Sequence, residues 1–335
     1  MANILSTDFN YTYDGKLSTD VLIKPSIMTP DVLALFTVYP EVKYKQPISL
    51  TGTLEKITKA YAGCSRTLTG TGIDITNRTL ETKQLEIFIE QCSDAFEATI
   101  LSQALKSGID YNDLQGTDIE KIINTLTVDA MRRDLFRIIS FGDTASLSAD
   151  YSMLDGIWVN LINGVGSGCI KQSSVSLTGA LASGAAFSAL KDMYDNAPII
   201  LKQVENSKKA FYVTGSVYLN LLASYESLDS GSDAQFALVQ DGESKLKFRG
   251  IDVIPFWAWD ASLQADSPLD VVAGSAVDNL ILYTTPENHA IGIEKAADQG
   301  TVDMWYERKD RKVYTEGMYK IGYTYLHCDL QMIAF

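Results

Sequence analysis

The sequence predicts an α+β fold, on three observations. A segment near residues 117–140 keeps an unbroken helical period, several shorter segments alternate apolar and polar residues as half-buried strands do, and the second half mixes strands with short helices. At 335 residues, 46% hydrophobic and 21% charged, the chain can bury a substantial core without disulfides or metals, and its length suggests two domains.

Residues up to about Pro47 mix Asn, Thr, Asp and Tyr with Pro25, Pro30, Pro40 and Pro47 and hold neither period. They read as a long extended arm or as a partly disordered leader. From Thr53 to Gln91 the pattern becomes strand-like: Leu54 and Ile57 precede a Gly- and Thr-rich tract, and Leu85, Ile87 and Ile89 then alternate with Glu86, Phe88 and Glu90. This predicts a long hairpin, whose tip around Gly63 to Gly72 has too few large apolar residues to be held by a core of its own. A hairpin that cannot bury its own faces lies on something else.

The most clearly specified element begins near Thr117. Thr117 and Glu120 have capping-box spacing, and Asp118 puts a negative charge at the positive end of the helix dipole. Ile119, Ile122, Ile123, Leu126 and Ala130 form an apolar stripe that Met131, Leu135, Ile138 and Ile139 continue. Arg132, Arg133 and Arg137 fall toward the negative end, and Gly142 is expected to supply a left-handed stop. A shorter helix is expected from about Ser93 to Lys106 and another from Ser183 to about Asn196, ended by Pro198. Between the latter and the long helix, Gly164-Val165-Gly166-Ser167-Gly168 reads as a flexible loop; it lacks the Lys-Ser or Lys-Thr of a phosphate-binding loop and the spacing of a dinucleotide fingerprint.

Past Leu201, Phe211-Tyr212-Val213-Thr214 reads as a buried strand and Ser216 to Ser224 as a short helix. Further strands are expected at Leu246–Ile254, broken by Gly250, and at Leu280–Tyr283, Ala290–Ile293 and Val302–Tyr306. The last stretch, Met318 to Phe335, is Tyr-rich and strand-like to its end, as a segment tied into a sheet is.

The 42 acidic and 28 basic residues give a net charge of −14, which argues against gripping a phosphate backbone by counterion release. An acidic exterior keeps a concentrated assembly soluble, and many cytosolic proteins are acidic as well. Cys64, Cys92, Cys169 and Cys328 lie far apart without a C-x-x-C pair, so free buried thiols are expected. Neither a secretory signal nor an apolar run of membrane-spanning length occurs, so a protein that is not exported by that route and does not span a membrane is expected.

Chemistry is sparse. His289, in an expected turn, and His327, in the terminal strand, have no Glu or His at metal-ligand spacing, and no G-x-S-x-G elbow occurs. No cofactor, metal or catalytic set is expected. Asp252 and Asp260 stand near Trp257 and Trp259 as carboxylates do beside aromatics in sugar-processing enzymes, but Trp-Ala-Trp reads as core or as an inter-subunit contact.

An arm, a long hairpin, one strut helix and a mixed second half, in that order, resemble the organisation of the Hong Kong ninety-seven type capsid fold of tailed-phage major capsid proteins. Local sequence adds to the resemblance. Thr79-Leu80-Glu81-Thr82-Lys83-Gln84-Leu85-Glu86-Ile87 is similar to the strand returning from the family's E-loop, and Ser93 to Gly108 to the short helix before its spine helix. Phe141-Gly142-Asp143 with Asp155-Gly156-Ile157 looks like the pair of motifs that follows the spine. Ala210 to Thr214, Phe248 to Pro255 and Tyr283 to Asn288 are similar to three axial-domain signatures in the expected order.

The resemblance implies an N-terminal arm over 1–45, an E-loop hairpin over 46–92 and a peripheral domain over 93–200 with the spine helix at about 117–140. It implies an axial domain over 201–290 and a return to the peripheral sheet over 291–335. It further implies a non-enzymatic subunit that assembles with itself into hexamers and pentamers, in the host cytoplasm and then the virion. Its partners are portal, scaffolding and decoration proteins, with packaged DNA nearby but not read by sequence, and no membrane. Gly63, Gly70, Gly72 and Gly164 to Gly168 become candidate hinges or remain ordinary loops; Arg132, Arg133, Arg137, Trp257 and Trp259 become candidate assembly residues. Some members cross-link an E-loop Lys to an Asn; Lys56 and Lys59 are hairpin candidates, but Thr315-Glu316-Gly317-Met318 offers no Asn, and no cross-link is expected. The sequence starts at the arm without a long helical, charged leader, so scaffolding is expected from a separate protein or from a leader absent here. The alternatives are an encapsulin-like compartment shell, a soluble acidic enzyme using one histidine, and a tail or baseplate component.

Overall fold

The computed structural model describes residues 35–52, 75–92, 118–226, 246–294, 302–307, 309–310 and 312–335. The first half holds β1 (Thr37–Tyr39), β2 (Lys45–Thr51), β3 (Ile75–Glu81), β4 (Lys83–Cys92), α1 (Asp118–Phe141), α2 (Ile157–Gly166) and β5 (Lys171–Gln172). Then come α3 (Ala185–Asn196), α4 (Ile199–Gln203), β6 (Ala210–Thr214), α5 (Gly215–Glu226), β7 (Lys247–Phe248), β8 (Ile251–Phe256), α6 (Trp257–Asp266) and α7 (Asp270–Ala273). The chain closes with β9 (Ile281–Thr284), β10 (His289–Ile293), β11 (Val302–Glu307), β12 (Lys312–Tyr325) and β13 (Gln331–Ala334).

Two main sheets result. The six-stranded sheet has the order β5-β13-β9-β6-β8-β7. Its central strand β6, Ala-Phe-Tyr-Val-Thr, is buried at every position, which is why it reads as a continuous apolar run rather than an alternation. Phe211 on β6 stacks on Tyr283 of β9 with ring centroids 4.2 Å apart. The five-stranded sheet is organised by β12, whose 14 residues pair with β4 along one edge and with β11 and then β10 along the other; β1 lies parallel outside β10.

These pairings revise three readings of the sequence. The alternating run at Leu85–Ile89 is a strand, but it runs along β12, from Lys83↔Ile321 to Cys92↔Lys312, instead of forming a leg of the hairpin. The hairpin itself is β2 with β3, in register from Lys45↔Glu81 to Thr51↔Ile75. The final segment divides: β12 stays in the five-stranded sheet, whereas β13 pairs with β9 and β5 in the six-stranded one. Alternation specifies a half-buried strand but not its neighbour, so sequence could not make either assignment.

Helix α1 spans 24 residues, about 36 Å, and buries Phe136, Ile138, Ile139 and Phe141, with Met131 and Leu135 packed against the same core. Thr117, the side chains of Glu120 and of the stripe from Ile119 to Leu126, and the helix expected over Ser93–Lys106 lie outside the described residues. Gly142 departs from expectation. It is absent from the positive-φ glycines, and its N–H continues the helix by donating to Ile138 O at 2.8 Å. Its lack of a side chain serves a close crossing: a Cβ there would lie 2.2 Å from Leu154 O, and one on Gly156 would lie 2.8 Å from Gly142 N. Gly156 N–H donates to Gly142 O at 2.7 Å across that crossing. The two glycines of the paired motifs are thus each other's contact.

The tract Gly164–Gly168 is also more ordered than a flexible loop. Gly164 and Gly166 belong to α2, a Cβ on Gly164 would lie 2.4 Å from Ile170 Cδ1, and Gly168 at φ +75° turns the chain so that Cys169 N–H reaches Gly164 O at 2.9 Å. The expectation of free thiols fails for two of the four cysteines. Cys169 and Cys328 form a disulfide across 159 residues of sequence, a pairing that spacing alone cannot reveal.

Candidate assembly surface

The β2–β3 hairpin has two faces and almost no core. Of its 14 strand residues only Leu50 and Leu80 are buried, and Ile75 is 62% exposed. A two-stranded ribbon is marginal in water by itself, so its attachment and its covering decide whether it keeps this form. The attachment is specific. Gly292 of β10 and Gly322 of β12 are cross-strand partners, and together they leave a gap in the sheet face through which the hairpin root crosses. A Cβ on Gly322 would lie 1.9 Å from Glu81 O, and one on Gly292 would lie 3.0 Å from Leu80 Cδ2. Leu80 fills that gap and is wholly buried.

Polar groups hold the same root. Thr82 donates its N–H to Tyr44 O at 2.9 Å and its hydroxyl to Val42 O at 3.1 Å, while Val42 N–H donates to Ile293 O at 2.9 Å. Glu81 accepts from Lys45 at 2.8 Å and Lys83 at 2.7 Å, and the hydrogen bond from Lys45, followed by that from Lys83, holds its carboxyl below its ordinary value. Residues 45–81 carry five Lys and Arg against three Asp and Glu, in a chain of net charge −14. That stretch of sequence is therefore net basic within an acidic chain.

Other site candidates separate. Lys56, Lys59, Gly63, Gly70 and Gly72 lie outside the described residues. Arg132 and Arg133 are exposed on α1, whereas Arg137 is half-buried, 3.2 Å from Asp134 Oδ1 and with its guanidinium 5.1 Å from the ring centroid of Tyr151. Trp257 is 41% exposed beside Gly215, where a Cβ would lie 2.1 Å from its ring. Trp259 points the other way, fully buried among Phe136, Phe141, Trp158 and Phe256, and its indole N–H donates to Ser140 Oγ at 2.9 Å. Asp260 caps α5, accepting from Gly215 N–H and from the N–H and hydroxyl of Ser216. Asp252 pairs with Lys247 at 3.4 Å. Neither carboxylate stands free beside the tryptophans. Among the described residues no group of three or more His, Cys, Asp or Glu side chains could hold a metal ion.

His289 starts β10 and is wholly buried, not in a turn. Thr284 gives its hydroxyl hydrogen to Leu330 O at 3.0 Å, so it accepts from His289 Nε2–H at 3.1 Å; Nδ1 then accepts from Tyr323 O–H at 2.6 Å. Thr284 belongs to the six-stranded sheet and Tyr323 to the five-stranded one, so the imidazole joins them. Asn288 adds bonds to His327 O, Gln331 Oε1 and His327 N–H at 2.9, 3.1 and 2.8 Å. Burial pushes the His289 pKa down from 6.5 to about 3. Between those values the unfolded chain binds the proton that the folded chain refuses. This contribution to stability is complete above pH 6.5 and falls by about 1.4 kcal/mol per unit as pH drops toward 3. Urea unfolding at pH 7.0 and 4.5 is expected to show wild type losing about 2–3 kcal/mol more than His289→Gln over that interval; equal losses would remove His289 as the cause.

Sequence reasoning missed Gly292, Gly322, Thr82 and the Thr284–His289–Tyr323 junction. A signal existed for the glycines: each interrupts an otherwise apolar strand, in Ile291-Gly292-Ile293 and Ile321-Gly322-Tyr323, and a strand glycine often marks a close backbone approach.

No family model matches the sequence, and no curated protein does. Solved structures do, over nearly the whole chain. A chain of Gordonia phage Cozz has TM-score 0.60 at 10% identity, covering 96% of this chain and 90% of that one. One of Mycobacterium phage Che8 has TM-score 0.56 at 13% identity, covering 97% and 98%. One from the capsid of Myoviridae phage XM1 has TM-score 0.56 at 11% identity, covering 96% of each. The architecture is the α+β Hong Kong ninety-seven type capsid fold.

Proposed function

We propose that this chain is a major capsid protein, the subunit that assembles with itself into the icosahedral head of a tailed phage and resides in the virion. The observation that carries the reading is the β2–β3 hairpin, fixed at its root by the Gly292–Gly322 gap and left with only Leu50 and Leu80 of its strand residues buried, on a fold shared along its length with phage capsid chains. A neighbouring subunit supplies the missing cover, and the net-basic stretch meets an acidic neighbour, so attraction favours that contact. Arg132, Arg133 and Trp257 serve as further contact residues, and Lys56 and Lys59 fall in the same net-basic stretch of sequence. Gly63, Gly70 and Gly72 adjust the hairpin between hexamer and pentamer positions.

In this reading residues 46–81 act as the E-loop, α1 as the spine, and the six-stranded sheet as the heart of the axial domain. Function lies in surfaces and requires no catalytic step. Scaffolding, portal and decoration proteins are its partners, and packaged DNA is enclosed without being read. Negative-stain microscopy of the full-length chain with a scaffold supplied is expected to give closed shells, which contain DNA when isolated from lysates and run as monomers after denaturation. Shells filled with a protein cargo would favour the compartment reading, tubes a tail component, and small soluble species under every condition would refute assembly.

A further inference from the structure

The disulfide is not an isolated staple. Cys169 sits just past the left-handed turn that ends α2, Cys328 begins the turn that carries the chain from β12 into β13, and their Cα atoms are 5.6 Å apart. Both residues are only partly buried, so small reagents can reach them. The third group present comes from the hairpin: Arg78 on β3 places Nη2 3.4 Å from Cys328 Sγ, with its guanidinium 4.7 Å from the ring centroid of Tyr325. A guanidinium beside a sulfur favours the thiolate, and the thiolate is the form that attacks a disulfide.

We propose that Cys169 and Cys328 are a redox lock that closes after folding, with Arg78 of the seated hairpin root activating Cys328 as the attacking thiol. In the open form both are thiols. The Cys328 thiolate attacks a small disulfide such as oxidised glutathione, forming a mixed disulfide and expelling one glutathione thiolate. Cys169, deprotonated, then attacks the Cys328 sulfur and expels the second. The two cysteines lose two electrons and two protons in all, and the glutathione disulfide becomes two thiols. Closure ties the loop after α2 to the strand crossing between the two sheets, directly beneath β3. Because Arg78 reaches the sulfur from the hairpin, the lock closes fastest when the hairpin root is seated.

The test uses the full-length chain purified in reductant, transferred to oxidised glutathione, quenched at intervals with N-ethylmaleimide and digested without reduction. The Cys169 and Cys328 peptides are expected to become linked to each other while Cys64 and Cys92 stay alkylated. Arg78→Gln is expected to slow closure about five-fold at pH 7 and to leave it unchanged at pH 9.5, where thiolates form unaided. Closure is expected to raise the thermal midpoint of wild type by about 5 °C, with Cys169→Ser and Cys328→Ser each behaving as reduced wild type in either condition. Absence of the linked peptide, linkage to another cysteine, or an oxidised wild type no more stable than the reduced one would overturn the lock. An Arg78→Gln rate equal to wild type at pH 7, or equally slow at both pH values, would overturn the activating role.

Discussion

Gly322→Ala is expected to lower subunit stability by about 2–4 kcal/mol and to abolish shell assembly. The added Cβ would meet the carbonyl oxygen of Glu81 at 1.9 Å and the Cα of Thr82 at 3.0 Å, both backbone atoms of the hairpin root. Side-chain rotation cannot relieve that overlap. Either β12 or the root must move, and moving the root breaks the Thr82 bonds to Val42 and Tyr44. Gly292→Ala is the internal comparison, because its new methyl meets only side-chain atoms of Leu80 and Thr82 near 3.0 Å. Urea unfolding with sedimentation of assembly mixtures is expected to rank Gly322→Ala well below Gly292→Ala, with wild type above both. Two equal, mild variants would show that the crossing at Gly322 does not hold the hairpin.

Trp259→Ala carries the other large expected effect, about 3–5 kcal/mol, as expected for emptying the centre of an aromatic cluster. Its ring lies 4.7 Å from Phe256 and 5.3 Å from Trp158, and it anchors α6 to the end of α1 through Ser140. Trp257→Ala, two residues away, is expected to cost about 1 kcal/mol or less in subunit stability, because that ring is 41% exposed, and to weaken assembly instead. Denaturant unfolding separates the first effect and light scattering during assembly the second. Similar losses of subunit stability in the two variants would contradict the different roles given to these tryptophans.

The contrast between the two tryptophans shows what sequence could and could not convey. Trp-Ala-Trp announces aromatic packing, but which ring faces inward is decided by distant residues: Gly215 leaves room for the Trp257 ring, whereas Trp259 packs among Phe136, Phe141, Trp158 and Phe256. Helix α1 was legible because its period and its following glycine are local properties, though the reason for Gly142 is the close approach of the Leu154 carbonyl rather than a backbone turn. Strand identity was legible at β4, β6, β9 and β10 for the same reason. Partnership was not: β4 beside β12, β13 beside β9 and Cys169 beside Cys328 join residues far apart in sequence, and no local pattern encodes such a meeting. The apolar deficit read at Gly63 to Gly72 falls outside the described residues, the exposed β2–β3 pair was not read from its own residues, and its root showed only as two unexplained strand glycines.

Hydrogen–deuterium exchange in assembled particles, compared with dissociated subunits, tests most directly whether the hairpin works by lying on a neighbour. Amides of 45–51 and 75–81 are expected to exchange at least about ten-fold more slowly in the particle, since covering a marginal ribbon suppresses its opening, while β6 and β9 stay equally protected in both states. Equal exchange of the hairpin in both states would contradict the account.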